Sequence, residues 1–206
     1  MNFDPQQLKP SEMYRFLIEA IVPRPIAFVS TLGSDGLVNL APFSYFNAVS
    51  SDPPLVGIAI NERAGDPKDT LRNIRETGEF VVNVVSEPLL EAMVRTAGDW
   101  PRGTSEFGVA GLTTAPSERV RPPYVRESPV QLECRLHREI ALGSSSFVVG
   151  EVVFARAGDE VMTEGRVDAA KLAPIGRLGG EFYSRTHDIV RVPRPKVSRT
   201  DGQAHG

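Results

Sequence analysis

The residue types able to do chemistry are concentrated in three short segments of this chain. The first is Asp66-Pro67-Lys68-Asp69-Thr70, which reads as the start of a helix: Asp66 suits the N-cap, Pro67 the first turn, Asp69 the helix dipole, and Gly78 the C-terminal stop. The first turn of a helix offers unpaired N–H groups and a partial positive charge. With the cation of Lys68 and the hydroxyl of Thr70 added, it can hold a phosphate. An ordinary capped surface helix accounts for the same residues, and Arg72 and Arg75, beyond the first turn, read as solvated. The second segment is Pro42 to Ser51, where Ser44, Asn47, Ser50 and Ser51 alternate with Phe43, Phe46 and Val49. That is more polar capacity than a core segment needs, although a strand with one wet face would also explain it. The third runs from Ala173 to Arg185, where glycines allow close backbone approach and Tyr183 can stack or donate a hydrogen bond. A glycine-rich loop with an anchoring tyrosine is its simpler reading. Arg24, between two prolines, could reach the same site, but an arginine in a rigid turn is more often a surface group, and it is left out of the candidates.

These segments are positioned mainly by strands. Ile26–Thr31 and Leu37–Ala41 are strand-like runs joined by the turn residues Gly33-Ser34-Asp35-Gly36, a hairpin. Leu55–Ile60 and Phe80–Val85 are continuous β-branched-rich runs flanking the single clear helical pattern. Val130–Ile140 and Phe147–Ala155 form a second hairpin around Gly143-Ser144-Ser145-Ser146. A short helix is expected from Ser86-Glu87-Pro88 through Met93, and another turn or two from Asp168 to Leu172. Gly98–Arg126 reads as loop. Many short strands and no strand–helix alternation predict a mainly β, antiparallel barrel over residues 1–190 with a few short helices. Residues 191–206 read as a polar C-terminal tail.

Composition narrows the function classes. The net charge of −3 lacks the basic excess that phosphate-backbone binding requires, so nucleic acid is not an expected partner. No window approaches the apolar length of a membrane span, and the expectation is a soluble, cytoplasmic protein. The single cysteine, Cys134, rules out an internal disulfide or a thiolate cluster and, in phase with Val130, Leu132 and Leu136, reads as a buried thiol. His137, His187 and His205 are far apart and form no metal-ligand pattern, so no metal is expected. There is no GxGxxG, no GxxxxGK[ST] and no Gly-x-Ser-x-Gly.

The run PRPIAFVSTLGSDGLVNLAPFSYFNAVSSDPPLVGIAI, continued in Lys68–Ile74 and Gly78–Asn83, resembles the flavin reductase-like family of FMN-binding split β-barrels, over roughly Met13 to Arg185. That resemblance implies a Greek-key split barrel and a homodimer with flavin sites at or near the subunit interface. It implies FMN as cofactor and NAD(P)H as a transient electron donor. It carries over Lys68 and Thr70 as phosphate contacts and Asn47, Ser50 and Ser51 as flavin contacts, with Ser30 and Thr31 near the ring or ribityl chain. Ser44 would offer hydrogen bonds and Phe46 apolar surface, with Arg177 and Tyr183 as further candidates. No side chain is expected to be catalytic, because the flavin carries the chemistry. Lacking a histidine-rich motif followed by a glycine pair near the C-terminus, the chain looks closer to the flavoredoxin-like branch than to the reductase components of aromatic monooxygenases. An NAD(P)H-dependent flavin oxidoreductase with an unidentified acceptor is the leading reading. An FMN-binding electron carrier reduced by a partner protein, or a flavin-binding module without activity, stands beside it.

Overall fold

The computed structural model describes residues 1–62, 66–101 and 103–195. Helix α1 (Pro10–Ala20) precedes β1 (Ala27–Leu32), β2 (Val38–Phe43), β3 (Phe46–Ser51) and β4 (Pro54–Asn61), and α2 (Asp69–Thr77) leads into β5 (Glu79–Val84). Then come α3 (Leu90–Thr96), α4 (Glu106–Ala110), the short strands β6 (Thr114–Ala115) and β7 (Tyr124–Val125), and the long pair β8 (Val130–Leu142) and β9 (Ser145–Ala157). The chain continues through β10 (Met162–Thr163), β11 (Arg166–Val167), α5 (Ala169–Leu172), β12 (Ile175–Arg177) and β13 (Tyr183–Arg185).

Seven strands form one antiparallel sheet in the order β2-β1-β5-β8-β9-β4-β3. Consecutive strands β2 and β3 therefore lie at opposite edges, with only Ser44 and Tyr45 between them. A flat sheet of this order would separate those edges by six strand spacings, about 29 Å, whereas the three residue steps from Phe43 to Phe46 reach at most about 11 Å. The sheet must curl until its edges meet at this corner. Because β2 and β3 form no ladder with each other, the barrel is split along that seam. The corner is tied to the wall by the Ala59 N–H, which donates to the Tyr45 carbonyl at 2.8 Å. Two bulges in β8–β9 add the twist that closure needs.

Strand alternation then separates two apolar cores. Ala27, Val29, Ile58, Phe80, Val82, Cys134 and Val148 fill the barrel, and α2 closes one end with Leu71 and Ile74. On the outer face Phe28 and Leu40 pack with Val85, Leu89, Met93 of α3 and Phe107 of α4. Cys134 is fully buried and burial pushes its thiol pKa up, as expected of a structural cysteine.

The hairpins, the two apolar strands and the expected helices are all present. The second hairpin is tighter than anticipated: Gly143, at φ 59°, and Ser144 make the turn, while Ser145 and Ser146 belong to β9. Helix α2 starts later than its sequence suggested. Lys68 holds the N-cap position, because the Asp66 carboxylate accepts instead from Arg72 Nη2 at 3.0 Å. Gly78, at φ 70°, does terminate α2. Several elements were unanticipated: α1, none of whose residues is buried, α4 with the short strands β6 and β7 within the expected loop, and the short pairs β10–β11 and β12–β13. Residues 191–195 are exposed and irregular, and the remainder of the expected tail, 196–206, lies outside the described residues.

Gly150 on β9 faces the ring of Phe80, and a Cβ there would lie 2.3 Å from the ring edge. Gly150→Ala is expected to destabilise by about 1–3 kcal/mol through overpacking. Urea denaturation reads this directly, and an unchanged midpoint would mean the barrel wall is slacker than drawn.

Candidate functional site

The start of α2 opens onto a groove of about 670 Å³, within the roughly 300–1,000 Å³ typical of cofactor sites. Its walls come from Asn39, Ala41 and Pro42 of β2, from Thr96 at the end of α3 and the Ala97–Pro101 connection after it, and from Lys68, Thr70 and Arg72 at the start of α2. Among the described residues no side-chain cap bond is made at the start of α2, where first-turn N–H groups can receive an anion. Its ammonium lies 5.4 Å from the centre of the Phe43 ring. Thr70 is only 1% exposed, and its hydroxyl accepts from Asn39 Nδ2 at 2.8 Å, leaving its own proton to donate. Arg72, far from being solvated, bonds Asp66 at 3.0 Å, the Asp69 carboxylate, and the Pro67 carbonyl at 3.2 Å. It thereby counters two of the groove's acids and fixes the approach to the helix. Arg75 is ion-paired as well, to Glu62 and Glu139, away from the groove.

A cleft of about 190 Å³ shares Pro42 and Ala97 with the groove and adds Arg24, Ser44, Arg177 and Tyr183. A third, largely apolar pocket of about 420 Å³ shares Arg24 and Ser44 with that cleft and adds Phe46, Asn47 and Phe147. One continuous tract thus runs from the start of α2 past the corner to β3. Most of the expected residues converge on it: Lys68 and Thr70 at one end, Arg177 and Tyr183 in the middle, Ser44, Phe46 and Asn47 at the other.

Ser30, Thr31, Ser50 and Ser51 do not line it. Strand β1 is covered on both faces, and Ser30 and Thr31 are fully buried. The Ser30 hydroxyl donates to the Pro123 carbonyl at 2.6 Å and accepts from Asn83 Nδ2 at 3.2 Å, while the Thr31 hydroxyl accepts from Asn73 Nδ2 at 3.0 Å. Ser50 sits at the far end of β3, where its hydroxyl accepts from the Asp52 N–H at 3.2 Å, and Ser51 is exposed beside it.

Arg24 is the residue that the sequence undersold. It is 6% exposed, with Nη1 donating to the Ile18 and Ile21 carbonyls at 2.5 and 2.8 Å and Nη2 to Leu178 O at 3.0 Å. Its Nε reaches Ser44 Oγ at 3.4 Å. Burial lowers its pKa; Tyr45 and Tyr14 pull the other way, and Arg177 nearby adds to the lowering. Its flanking prolines, which fix the local backbone, were the only signal of this role.

Residues 19–172 match the flavin reductase like domain. The chain belongs to the flavin reductase-like family. A relative from Halalkalibacterium halodurans is 40% identical over 206 residues, covering 97% of this chain and 99% of that protein. Among solved structures, nitrilotriacetate monooxygenase component B from Bacillus cereus is 35% identical with a TM-score of 0.91, covering 93% of this chain and 98% of that one. The 2-nitrobenzoate 2-nitroreductase of Pseudomonas fluorescens is 36% identical with a TM-score of 0.88, covering 98% and 100%. Flavoredoxin of Desulfovibrio vulgaris, at 22% identity and a TM-score of 0.70 over 88% and 93%, shares the fold. The split barrel is thus that of flavin reductases and flavoredoxins, and the cofactor class of this flavin reductase-like chain is a flavin. Its tract fits such a group: an uncapped helix start for a phosphate, then apolar and hydrogen-bonding surface for a ring. Among the described residues no helix is long and apolar enough to cross a membrane.

Glu106 lines the groove of this flavin reductase-like barrel, where its carboxylate accepts from the Leu40 N–H at 3.0 Å. Burial raises its pKa above the ordinary 4.5, against the pull of that hydrogen bond. The folded state therefore holds this proton more tightly than the unfolded chain, and stability is lost as pH rises from about 4.5 through the folded pKa. Glu106→Gln should flatten that part of the stability–pH profile. Superimposable profiles for the two proteins would remove Glu106 as its source.

Proposed function

We propose that the protein is a homodimeric FMN-dependent oxidoreductase that takes electrons from NAD(P)H and passes them to a small-molecule acceptor. The observation that carries this reading is the uncapped start of α2, with Lys68 beside it, opening onto a groove of cofactor size. Bound there, the flavin supplies the electron-transfer chemistry. The chain's own residues bind and orient it. Lys68 and the first-turn N–H groups of α2 hold the phosphate, with the Thr70 hydroxyl behind them. Pro42 and Phe46 give apolar floor at the ring end. Ser44 and Asn47, whose Oδ1 accepts from the Ala48 N–H at 2.9 Å and leaves the amide nitrogen to donate, satisfy the ring's polar edge.

The donor visits without a dedicated dinucleotide module, which agrees with the absence of a GxGxxG motif. Its cytoplasmic supply sets the expected compartment. The dimer is supported by an apolar face beside the tract: Tyr14, Leu17, Ile21 and Val22 in and after α1 and Val49 on β3 are all exposed. The monooxygenase component and the nitroreductase, similar over nearly the whole chain, support an enzyme over a pure carrier.

The absorption spectrum of FMN-loaded protein, followed in stopped flow, tests the reading. Rapid loss of flavin absorbance on adding NADH or NADPH is expected, and no bleaching by either would mark an electron carrier that depends on a protein donor. The phosphate end is tested by Lys68→Ala. Losing one charge-assisted bond should weaken FMN by roughly 10- to 150-fold while hardly affecting riboflavin, which has no phosphate. Equal losses for the two ligands would place the phosphate elsewhere.

A further inference from the structure

The cleft between the groove and the apolar pocket carries more positive charge than one FMN can use. Arg24 and Arg177 both line it, and no carboxylate does. Arg24 has only neutral partners, three carbonyls and the Ser44 hydroxyl, so its charge is dispersed by hydrogen bonds but not cancelled. Arg177 donates from Nη2 to the Gly180 carbonyl at 2.6 Å, and its guanidinium lies 4.5 Å from the centre of the Tyr183 ring. Among the described residues neither arginine forms an ion pair with an acid.

The two cations are held together by the backbone. Arg24 N donates to Arg177 O at 3.0 Å and Arg177 N to Arg24 O at 2.8 Å, an isolated bridge that fixes their spacing. The strand carrying Arg177 approaches so closely that a Cβ on Gly176 would lie 2.7 Å from Pro23 Cβ. β12 also pairs with β13, which places Tyr183 opposite Arg177. Two like charges kept this close in a half-apolar cleft oppose folding unless something outside the chain benefits from them.

FMN has one anionic group, and the start of α2 accounts for it. We propose that the Arg24–Arg177 cleft is the anion subsite for the second substrate, taking a carboxylate of the acceptor or the pyrophosphate of the dinucleotide donor. Arg177 contacts the anion through its uncommitted donors, and the Tyr183 and Tyr14 rings flank what is attached to it. A volume of about 190 Å³ compares with the roughly 150 Å³ that admits a benzene ring. It accommodates one ring with its carboxylate, or a pyrophosphate, and excludes a whole dinucleotide. Arg24, saturated by protein carbonyls, is a positioning residue that adds charge from behind.

This inference rests on the flavin reading only for the claim on the phosphate, so the two are tested separately. Calorimetric titration of FMN-loaded protein with benzoate, with benzamide as its neutral analogue, and with inorganic pyrophosphate reads the subsite. Saturable binding of benzoate over benzamide assigns it to a carboxylate acceptor, and tighter binding of pyrophosphate assigns it to the donor. Either probe should bind roughly 10- to 100-fold more weakly to Arg177→Gln, and Arg177→Lys should restore part of the loss. FMN affinity, read by flavin fluorescence quenching, should fall at least tenfold less. Binding of neither anion, equal binding of benzamide and benzoate, or an FMN loss as large as the probe loss overturns the proposal. Benzoate or pyrophosphate binding to a protein that takes up no FMN would instead sink the flavin function and leave the subsite standing.

Discussion

The two residues of the β2–β3 corner constrain everything else in the molecule. Ser44 and Tyr45 connect opposite edges of a seven-stranded sheet, so the sheet has no option but to close on them. Closure without a ladder leaves a seam, and the seam is where backbone and side chains of β2 and β3 can face a ligand instead of each other. That is why Pro42, Ser44, Phe46 and Asn47 sit on one tract although they belong to two edges. The close fit continues beneath the corner: a Cβ on Gly57 would lie 2.3 Å from the Phe147 ring and 2.9 Å from Val49 Cγ2, so β4 can pass there only as glycine.

Arg24 ties the parts that the barrel itself does not hold. It draws in the end of α1 through Ile18 and Ile21, the C-terminal segment through Leu178 and the corner through Ser44. A guanidinium suits this task because its planar fork satisfies several carbonyls in fixed directions, which an ammonium cannot do. The carbonyl end of α1 meets its charge, as the helix dipole favours. Helix α1 buries none of its own residues, so its position depends on this anchoring rather than on a core of its own.

What was legible in the sequence was local. Alternation and turn chemistry gave the hairpins, and Gly78 marked the end of α2 because a left-handed residue there needs glycine. The start of α2 was misplaced because Asp66 has the chemistry of a cap but finds a stronger partner in Arg72. Ser30 and Thr31 have the residue types of ligand contacts, yet β1 lies between β2 and β5 with both faces covered. Their hydroxyls instead pin the Pro123 loop and Asn73 of α2. No local pattern distinguishes a hydroxyl that serves a ligand from one that serves a buried network; the difference lies in pairings some 40 to 90 residues away, as with the separation of 93 between Ser30 and Pro123 and of 42 between Thr31 and Asn73. The same holds for the meeting of β2 and β3 across the seam.

The site is consequently modular in a physical sense. Its proposed phosphate end is made of helix backbone and one lysine, so it depends on where α2 begins, which the Arg72–Asp66 pair helps to determine. Its ring end is made of the corner, which depends on barrel closure. The cationic cleft between them depends on Arg24 and the β12–β13 hairpin. The three supports share few residues: among the described residues, Pro42 and Ala97 line both the groove and the cleft, and Arg24 and Ser44 both the cleft and the apolar pocket. On the proposed reading, change at the mouth of the cleft can therefore alter which anion is accepted without moving the residues proposed to anchor the cofactor. The side chains lining the cleft come largely from α1, the Arg24 turn and the β12–β13 hairpin, which flank the barrel strands in sequence, and less from the barrel wall itself.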